Sequence, residues 1–305
     1  MEAVNPAADT SWALMGRAAE RGHRTFHAHP SSLSLQGGEA LLRAREVRVD
    51  RRNARWAWQG ESAWRSASDF SMVWIRKDPP FDMAYVETTW ILEHVDRSRC
   101  RVVNSAAGIR AANEKVYALK FPDLIPPTLI SADRELLREF VREHGEVVLK
   151  PLNGAGGEGI VFANWGMRGL TALIEVATAR GQRCEAQAYL PGATKGDKRV
   201  LMLEGEPLGA VLRVHGAGEE RNNLHLGGHA EKSPVDERDL EIVRRIAPTL
   251  AADGLWFVGI DVIDGRLTEV NVTSPTGIQE IERLDGVDAT GRVIAWCEAN
   301  DPRRA

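Results

Sequence analysis

Two short β-like runs near the carboxyl end constrain this chain more than any other segment. Residues 259–277 read GIDVIDGRLTEVNVTSPTG, and an Asp264-Gly265 turn joins the two runs. Asp261, Glu269 and Asn271 lie within them, although buried strands usually exclude such polar residues. Carboxylate and amide oxygens are the ligands that hard cations such as Mg²⁺ prefer, and Mg²⁺ often accompanies nucleotide phosphates. The segment therefore predicts a metal-binding hairpin, with a solvated edge hairpin as the alternative.

The side-chain parity of the hairpin makes this prediction testable. With a two-residue turn at Asp264-Gly265 and regular pairing, Asp261 faces Thr268, and Glu269 lies on the opposite face. A three-residue loop, or a one-residue bulge at Gly265, places Asp261, Glu269 and Asn271 on one face instead. A shared cation requires the second arrangement, so we expect the three side chains to converge.

Composition excludes several classes of protein. The 305 residues are 43% hydrophobic and 27% charged, which is ordinary for a globular enzyme of two or three subdomains. A net charge of −4 without a basic block argues against nucleic acid as a partner. No run approaches the about 20 apolar residues of a membrane-spanning helix, and no signal-peptide pattern is present. Cys100, Cys184 and Cys297 are widely spaced, which predicts reduced thiols in a cytoplasmic protein.

Helix and strand signals alternate along the chain, which predicts an α/β or α+β architecture. The predicted helices are 9–22, 83–95, 132–144, 167–180 and 236–252. The predicted strands are 70–76, 102–104, 146–150, 184–190, 198–203, 207–214 and the two runs of the metal-type hairpin. A polar, glycine-rich loop runs from His215 to Glu231, and loops this long inside compact domains are usually functional lids or disordered.

An apolar strand that ends in a lysine precedes a cluster of glycines. Residues 147–150 read VVLK, and PLNGAGGEG follows at 151–159. Glycines let backbone N–H groups approach an anion closely, and Lys150 can reach phosphates as a point charge. Because the lysine comes first, the segment is neither a P-loop nor a dinucleotide-binding fingerprint. A flexible hairpin turn is the alternative interpretation.

Three other features give weaker signals for the same chemistry. The strand 185–190 can border an adenine ring through its backbone edge and apolar side chains. Arg199, Arg213 and Arg221 suit carboxylates and transferring phosphates, and together they predict an anion-handling site. Lys115 lies at a predicted helix start. Taken singly, an ordinary strand end, surface salt bridges and a solvated lysine are the commoner explanations.

The order of these parts resembles an ATP-grasp ligase, and the similarity to prokaryotic-type glutathione synthetase is closer still. The segments that carry it are RKDPPFD at 76–82, NEK at 113–115, LKPLNGAGG at 149–157, GDKRV at 196–200, GEP at 205–207 and LTEVNVTSPTGIQEIE at 267–282. The resemblance covers nearly the whole chain and implies an ATP-grasp fold preceded by an N-terminal pre-ATP-grasp α/β domain. It implies an N-terminal domain at 1–112, a central lid subdomain at 113–190 and a catalytic subdomain at 191–305.

The resemblance also implies a reaction and its partners. ATP, γ-glutamylcysteine and glycine would give ADP, phosphate and glutathione, through an acyl phosphate on the cysteinyl carboxylate. Mg²⁺ or Mn²⁺ would accompany ATP as the cofactor. The expected enzyme is a cytoplasmic homotetramer without nucleic-acid or membrane partners.

By position, the resemblance implies a role for each matching residue. The ATP-binding residues would be Lys115, Lys150, Gly154, Gly156, Gly157, Gly159, Gln187, Tyr189, Leu190, Asp197 and Lys198. The metal ligands would be Asp261, Glu269 and Asn271. Arg199 and Arg213 would be catalytic, because preorganised cations stabilise charge that develops in a transition state. The lid and substrate residues would be Arg221, Asn223, Ser274, Pro275 and Thr276.

The sequence departs from the family pattern at its start and in the lid. The family has a hydrophobic strand before the segment that matches residues 1–11, and a start codon placed too late would explain its absence here. We therefore expect the N-terminal sheet to lack a central strand. Ala8 replaces a usual lysine, Asn222 and His225 replace small lid residues, and His229 lies near a usual arginine. Three of these changes, at Asn222, His225 and His229, lie in the predicted lid loop from His215 to Glu231.

Three alternative functions remain. They are an ATP-grasp ligase with another acid–amine pair, a nucleotide-binding homologue impaired in catalysis, and a phosphotransferase that forms no acyl phosphate. The RKDPPFD and NVTSPT segments argue against the first. The intact Asp261, Glu269, Asn271, Lys150 and Arg213 argue against the second.

Overall fold

A computed structural model describes residues 4–154, 156–216 and 227–304 of the chain. The helices are α1 (Thr10–Glu20), α2 (Met83–Leu92), α3 (Ala106–Ala111), α4 (Glu114–Ala118), α5 (Arg134–His144), α6 (Leu170–Ala177), α7 (Glu237–Ala252), α8 (Ile278–Asp285) and α9 (Ala289–Ala299). The strands are β1 (Phe26–His27), β2 (Leu33–Gln36), β3 (Glu39–Asp50), β4 (Arg55–Ser66), β5 (Met72–Trp74), β6 (Arg101–Val103), β7 (Thr128–Ser131), β8 (Glu146–Pro151), β9 (Val161–Asn164), β10 (Cys184–Ala188), β11 (Asp197–Leu203), β12 (Glu206–Val214), β13 (His229–Lys232), β14 (Phe257–Ile263) and β15 (Arg266–Asn271). The mixed architecture expected from the alternating sequence signals is therefore present.

The N-terminal third contains two small sheets. Strands β1 to β4 form an antiparallel sheet, and β5 pairs in parallel with β6. Helix α1 packs against the first of these sheets through Trp12, which forms a buried cluster with Val47 and Val49 of β3. Asn104 attaches this region to the last hairpin, because its side chain donates to Phe257 O and Val272 O at 2.7 and 2.9 Å.

The middle of the chain forms an antiparallel sheet in the order β7-β10-β8-β9. Leu137 and Val141 of α5 and Ile174 of α6 are buried against Val147 and Leu149 of β8. Because side chains alternate across a strand, this packing directs the intervening residues of β8 and β10 to the opposite face. That opposite face carries the polar groups described below.

The C-terminal part contains an antiparallel sheet in the order β13-β12-β11-β14-β15. Helix α7 covers one face through Ile242 and Ile246, which share a buried cluster with Val200 and Val258. Helices α8 and α9 cover part of the other face. Alternation along β11 therefore sends Asp197 and Arg199 away from α7, and sends Lys198 toward it.

The described helices include none that is both long and apolar enough to cross a membrane. The predicted helices and strands are present with ends shifted by a few residues, whereas the sequence patterns do not predict β1 to β4. The division at residues 112 and 190 stays a prediction.

Candidate active site

A cavity of about 580 Å³ lies between the polar faces of the middle and C-terminal sheets. Volumes of about 300–1,000 Å³ are typical of small-molecule sites. Its lining includes the cationic residues Lys115, Lys150, Arg199 and Arg213 from four different elements. It also includes all three residues predicted to bind metal, Asp261, Glu269 and Asn271.

The register of the β14–β15 hairpin brings the three predicted metal ligands together. Ile263 pairs with Arg266 across a two-residue Asp264-Gly265 turn, so the turn itself is short. A register shift follows, in which Val262 pairs with Leu267 but Asp261 pairs with Glu269. Thr268 is therefore the extra residue, and the bulge that we expected at Gly265 lies there instead.

The bulge places the side chains of Asp261, Glu269 and Asn271 on one face, as a shared cation requires. Asn271 Nδ2 donates to Asp261 Oδ2 at 3.2 Å, so these two side chains are in contact. Two carboxylates and one amide oxygen suit a hard divalent cation. The structure supports the geometry of the prediction, and the metal assignment itself stays a prediction.

A buried network of alternating charges crosses β12, β11 and β14. Arg199 forms a bidentate pair with Asp261 at 2.5 and 2.9 Å. Arg213 forms a second bidentate pair with Asp197 at 2.6 and 2.7 Å, and its Nη2 also lies 2.9 Å from Asp261. Arg199, Arg213 and Asp261 are 5%, 7% and 4% exposed, so water screens these charges little.

Asp261 remains ionised in this network. Burial alone would raise the pKa of its carboxyl group, but the charges of Arg199 and Arg213 outweigh burial and hold the pKa well below its usual range. Burial similarly opposes the charge of Arg213, yet Asp197 and Asp261 raise its pKa above the ordinary value. Both arginines therefore carry a positive charge at the cavity wall. An incoming phosphate would compete with Asp197 and Asp261 for contact with them.

On the facing sheet, Lys150 is held by two neighbours on β10. Its Nζ donates to Gln187 Oε1 at 2.9 Å and lies 3.2 Å from the carboxylate of Glu185, which is fully buried. Gln187 Nε2 donates to Thr128 Oγ1 at 3.1 Å, which fixes the orientation of the amide. An ammonium group has three donors, so Lys150 keeps one direction open for a ligand.

Lys115 connects the glycine segment to the metal-type hairpin. Its Nζ donates to Gly154 O at 2.9 Å and lies 3.1 Å from Glu269. Gly154, Gly156 and Gly157 line the cavity, with φ angles of 64° and 82° at the last two. Gly159 does not line the cavity. Its φ angle of 71° favours glycine, and a side chain at this position would place its Cβ only 2.8 Å from Pro151 Cγ.

The end of the cavity bordered by β10 is suited to a planar ring. Tyr189 and Leu190 line it, together with the apolar side chains of Val148, Ile160 and Phe162. The rings of Phe162 and Tyr189 lie 6.0 Å apart in an edge-on arrangement. These contacts support the prediction that residues 187–190 border an adenine ring.

The opposite end is formed by the loop after β15. Ser274, Pro275 and Thr276 line the cavity there. Glu114 Oε1 fixes the start of this loop, because it accepts from Val272 N and Thr273 N at 3.2 Å each and from Thr273 Oγ1 at 2.6 Å. The predicted peptide-binding loop is thus held against α4.

Among the described residues predicted for the site, Lys198 and Gly159 do not line the cavity. Lys198 points to the start of α7, where its Nζ lies 2.7 Å from both Asp236 and Asp239, so the structure does not support a role in binding ATP. Arg221 and Asn223 fall outside the described residues, and their lid role stays a prediction. Asp197 does line the cavity, although as the partner of Arg213.

Glu114 and Glu185 are site residues that the sequence predictions missed. Glu185 precedes Gln187 by two positions on a strand, so strand alternation alone would have placed both side chains on one face. Glu114 has no comparable signal, because its partners lie 158 and 159 residues away in the sequence.

Family models and curated relatives both show that this chain is similar to prokaryotic glutathione synthetases. Residues 1–110 match the prokaryotic glutathione synthetase N-terminal domain, and residues 114–286 match the prokaryotic glutathione synthetase ATP-grasp domain. The glutathione synthetase of Thermosynechococcus vestitus is 46% identical over 303 residues, covering 96% of this chain and 95% of the relative. That of Salmonella typhimurium is 40% identical over 298 residues, covering 97% of this chain and 95% of the relative.

Solved structures agree at the level of the fold. The ATP-grasp ligase PsnB complexed with minimal precursor superimposes with a TM-score of 0.61 at 18% identity, covering 95% of each chain. D-cycloserine synthetase DcsG gives a TM-score of 0.59 at 19% identity, covering 76% of this chain and 85% of that one. With both domain models matched across most of its length, the chain belongs to the prokaryotic glutathione synthetase family of ATP-grasp carbon–nitrogen ligases.

Proposed function

We propose that this chain joins γ-glutamylcysteine to glycine with the hydrolysis of ATP to ADP and phosphate. The observation that carries the proposal is the 580 Å³ cavity, because one of its walls is a nucleotide-type pocket and the other is a cationic, carboxylate-bearing hairpin face. ATP-grasp ligases use ATP and divalent metal ions, and the two walls match these two requirements.

ATP binds with its adenine beside Tyr189 and Leu190 and its phosphates beneath the glycine segment. Lys150 and Lys115 approach the phosphates from the two sides of that segment, and each exchanges part of its contact with Glu185 or Glu269 for a phosphate oxygen. The contacts described above support this arrangement, because each lysine is already oriented by the cavity wall.

Asp261, Glu269 and Asn271 would hold the divalent ion, Mg²⁺ or Mn²⁺. The ion would supply charge neutralisation for the phosphates and help to orient them for transfer. The oxygen donors on one face of the hairpin fit such an ion. Asp261 keeps its ionised form through Arg199 and Arg213, so it is ready to coordinate a cation without losing a proton first.

The first chemical step forms the acyl phosphate. A cysteinyl carboxylate oxygen attacks the γ-phosphorus of ATP, the bond to the bridging oxygen breaks, and ADP leaves with that electron pair. Arg199 and Arg213 stabilise the charge spread over the transferring phosphoryl group, because they are preorganised and shielded from water.

The second step forms the peptide bond. The unprotonated glycine amine attacks the acyl carbon, a tetrahedral intermediate forms, and phosphate leaves with the electron pair of the broken C–O bond. The nitrogen of the tetrahedral intermediate loses one proton to solvent, which leaves the neutral amide. The same two arginines lie beside the oxyanion, and Ser274, Pro275 and Thr276 seat the peptide.

A coupled assay tests the proposal. Purified protein is mixed with ATP, a divalent ion, γ-glutamylcysteine and glycine, and the product is identified by mass while ADP and phosphate are counted. We expect glutathione in a one-to-one ratio with ADP. ADP release without glycine at the full rate would favour a phosphotransferase, and a different preferred amine would favour another ATP-grasp ligase.

We also propose a homotetramer in a reducing cytoplasmic compartment. Cys100, Cys184 and Cys297 are unpaired thiols, and burial raises the pKa of Cys184 to about 11 and of the other two to about 12. Such thiols react slowly with oxidants. Light scattering of the purified protein measures the oligomeric state.

A further inference from the structure

Three consecutive side chains at the start of α4 bind different parts of the cavity wall. Two of them hold the glycine segment at 151–159. Asn113 Nδ2 donates to Leu152 O at 3.0 Å, and Lys115 Nζ donates to Gly154 O at 2.9 Å. Lys115 is also the residue expected to meet the phosphates of ATP. This part of α4 therefore belongs to the nucleotide side of the cavity.

The residue between them, Glu114, binds the opposite wall. Its Oε1 accepts from Val272 N and Thr273 N at 3.2 Å each and from Thr273 Oγ1 at 2.6 Å. Val272 and Thr273 are buried, so water cannot replace the carboxylate as their acceptor. A buried N–H group that loses its acceptor is costly. One oxygen of Glu114 thus determines the path of the chain at residues 272 and 273.

This short stretch lies between two groups of predicted site residues. Asn271, a predicted metal ligand, comes directly before Val272, and the predicted peptide seat at 274–276 comes directly after Thr273. Consecutive Cα atoms are about 3.8 Å apart, so a displacement at Thr273 carries the seat with it. Glu114 therefore controls the position of the seat without itself having to touch the dipeptide.

Helix α4 is too short to fix its own position. It has five residues, whereas isolated helices shorter than about 12 residues are marginal in water. Asn113 Oδ1 caps it by accepting from Lys115 N and Val116 N at 3.1 and 3.2 Å. The same Asn113 side chain holds the glycine segment through its Nδ2. A ligand that fixes the glycine segment and Lys115 therefore also fixes α4 and its Glu114.

We propose that Glu114 is a positioning residue that couples nucleotide binding to dipeptide binding through α4. ATP orders the glycine segment and Lys115, and Glu114 then holds Thr273 and the seat at 274–276 in the arrangement that accepts γ-glutamylcysteine. The inference rests on the proposed function and deepens it. Coupling between two sites is reciprocal, so the dipeptide should tighten nucleotide binding by the same factor.

Calorimetric titration without glycine measures this coupling factor. The protein is titrated with γ-glutamylcysteine, first alone and then with saturating Mg²⁺ and the non-hydrolysable analogue AMPPNP. The nucleotide should lower the Kd of the dipeptide about 5–150-fold, the usual range for coupled sites. Glu114→Ala should bring this factor close to one. Glu114→Gln should keep most of it, because an amide oxygen can accept the same three hydrogen bonds.

The coupling factor separates the proposed role from a merely structural one. A residue that only supports the fold would, when replaced, weaken dipeptide binding equally with and without nucleotide. A factor of one in the wild-type protein, or the wild-type factor in Glu114→Ala, would overturn the proposal. Glu237→Ala is the matched control, because Glu237 is the first residue of α7, is exposed and lies 3.9 Å from Arg244. It should keep the wild-type factor.

A milder variant decides the question if Glu114→Ala does not fold. Thr273→Val removes only the hydroxyl hydrogen bond of 2.6 Å and keeps the two backbone N–H groups that bind Glu114. It should lower the coupling factor in part, and an unchanged factor would overturn the proposal.

The two proposals fail in different ways. If the wild-type protein makes no glutathione from ATP, γ-glutamylcysteine and glycine, the proposed function is wrong. If it makes glutathione while nucleotide and dipeptide bind independently, or while Glu114→Ala keeps the wild-type factor, only the coupling role of Glu114 is wrong.

Discussion

At the scale of single residues, the site is organised by acids that hold its cations. Each cavity arginine and lysine with a proposed role in phosphate chemistry is paired with Asp197, Asp261, Glu185 or Glu269. Long basic side chains lose conformational entropy when a ligand orders them. The acidic partners impose that order in advance, at the cost of competing with the phosphates.

Arg213 gives the first prediction at this scale. Arg213→Ala should lower kcat about 10²–10³-fold, because the loss of one preorganised donor has this typical effect. The KM for ATP should change little, since Arg213 would interact more strongly with the charge that develops on the phosphoryl group in the transition state than with bound ATP. Near-normal turnover would remove Arg213 from the catalytic residues.

The same substitution also leaves Asp197 and Asp261 without a shared cation, so stability has to be measured beside activity. Breaking a buried ion pair from one side typically costs about 3–5 kcal/mol. Turnover should therefore be expressed per folded molecule, with urea unfolding as the check. Arg245→Ala is a matched control, because Arg245 is an exposed arginine 3.5 Å from Asp123.

Lys150 and Lys198 give a direct test of what the structure adds to the sequence. Both were expected to bind ATP, but only Lys150 lines the cavity. Lys150→Met should weaken ATP binding about 10–100-fold, as expected for a lost charged contact, whereas Lys198→Met should leave it unchanged. Calorimetric titration with ATP measures both, and equal losses would return Lys198 to the nucleotide site.

At the scale of helices and strands, local patterns predicted most elements but not their exact pairing. The runs 198–203 and 207–214 were predicted as a hairpin, and β11 and β12 pair as expected. The sequence did not predict that the bulge lies at Thr268, because packing on both strands fixes the position of a bulge and the turn residues alone do not. The sheet of β1 to β4 was not predicted, since many of its strand residues are arginine, glutamate or small residues that do not alternate cleanly.

Helix α7 is linked to strand β11 through its N-terminal cap. The side chain of Asp236 accepts from Arg238 N and Asp239 N, and it also lies 2.7 Å from Lys198 Nζ. Asp236→Ala should lower stability by about 0.5–2 kcal/mol through the loss of the cap. Asp236→Asn should cost less, because asparagine keeps the cap and loses only an exposed ion pair.

The difference in stability between the wild-type protein and the Asp236→Asn variant should depend on pH. The hydrogen bond from Lys198, followed by that from Asp239 N, lowers the pKa of Asp236 below its ordinary value. The stabilisation by its charge is therefore complete above the ordinary value of about 3.9 and is lost as the pH falls through the lower folded-state pKa. Urea midpoints of the two proteins should converge on acidification, and a constant difference would show that the charge contributes nothing.

At the scale of the whole molecule, the site is made where the middle and C-terminal sheets face each other. The family motifs predicted many of the residues that line the cavity, because the motifs lie at fixed positions in the chain. It did not predict that Lys198 faces α7, or that Arg76 approaches Pro275 across 199 residues. Such contacts depend on how separate elements pack, and no local pattern encodes them.

The last prediction concerns the binding of ATP and a metal ion between the middle and C-terminal sheets. A ligand that binds only the folded protein raises its stability by RT ln(1 + [L]/Kd), so ATP should raise the melting temperature and a divalent ion should raise it further. Glu269→Gln should reduce the further rise in melting temperature that the divalent ion causes. It should leave most of the rise that ATP causes without the ion. Asp264→Asn is the matched control, because Asp264 lies in the same hairpin but binds Gly192 N at 2.7 Å and does not line the cavity. A tenfold loss of metal affinity corresponds to about 1.4 kcal/mol, which thermal unfolding resolves as a shift of a few degrees. If the divalent ion raises the melting temperature equally in Glu269→Gln and Asp264→Asn, the hairpin does not hold the ion.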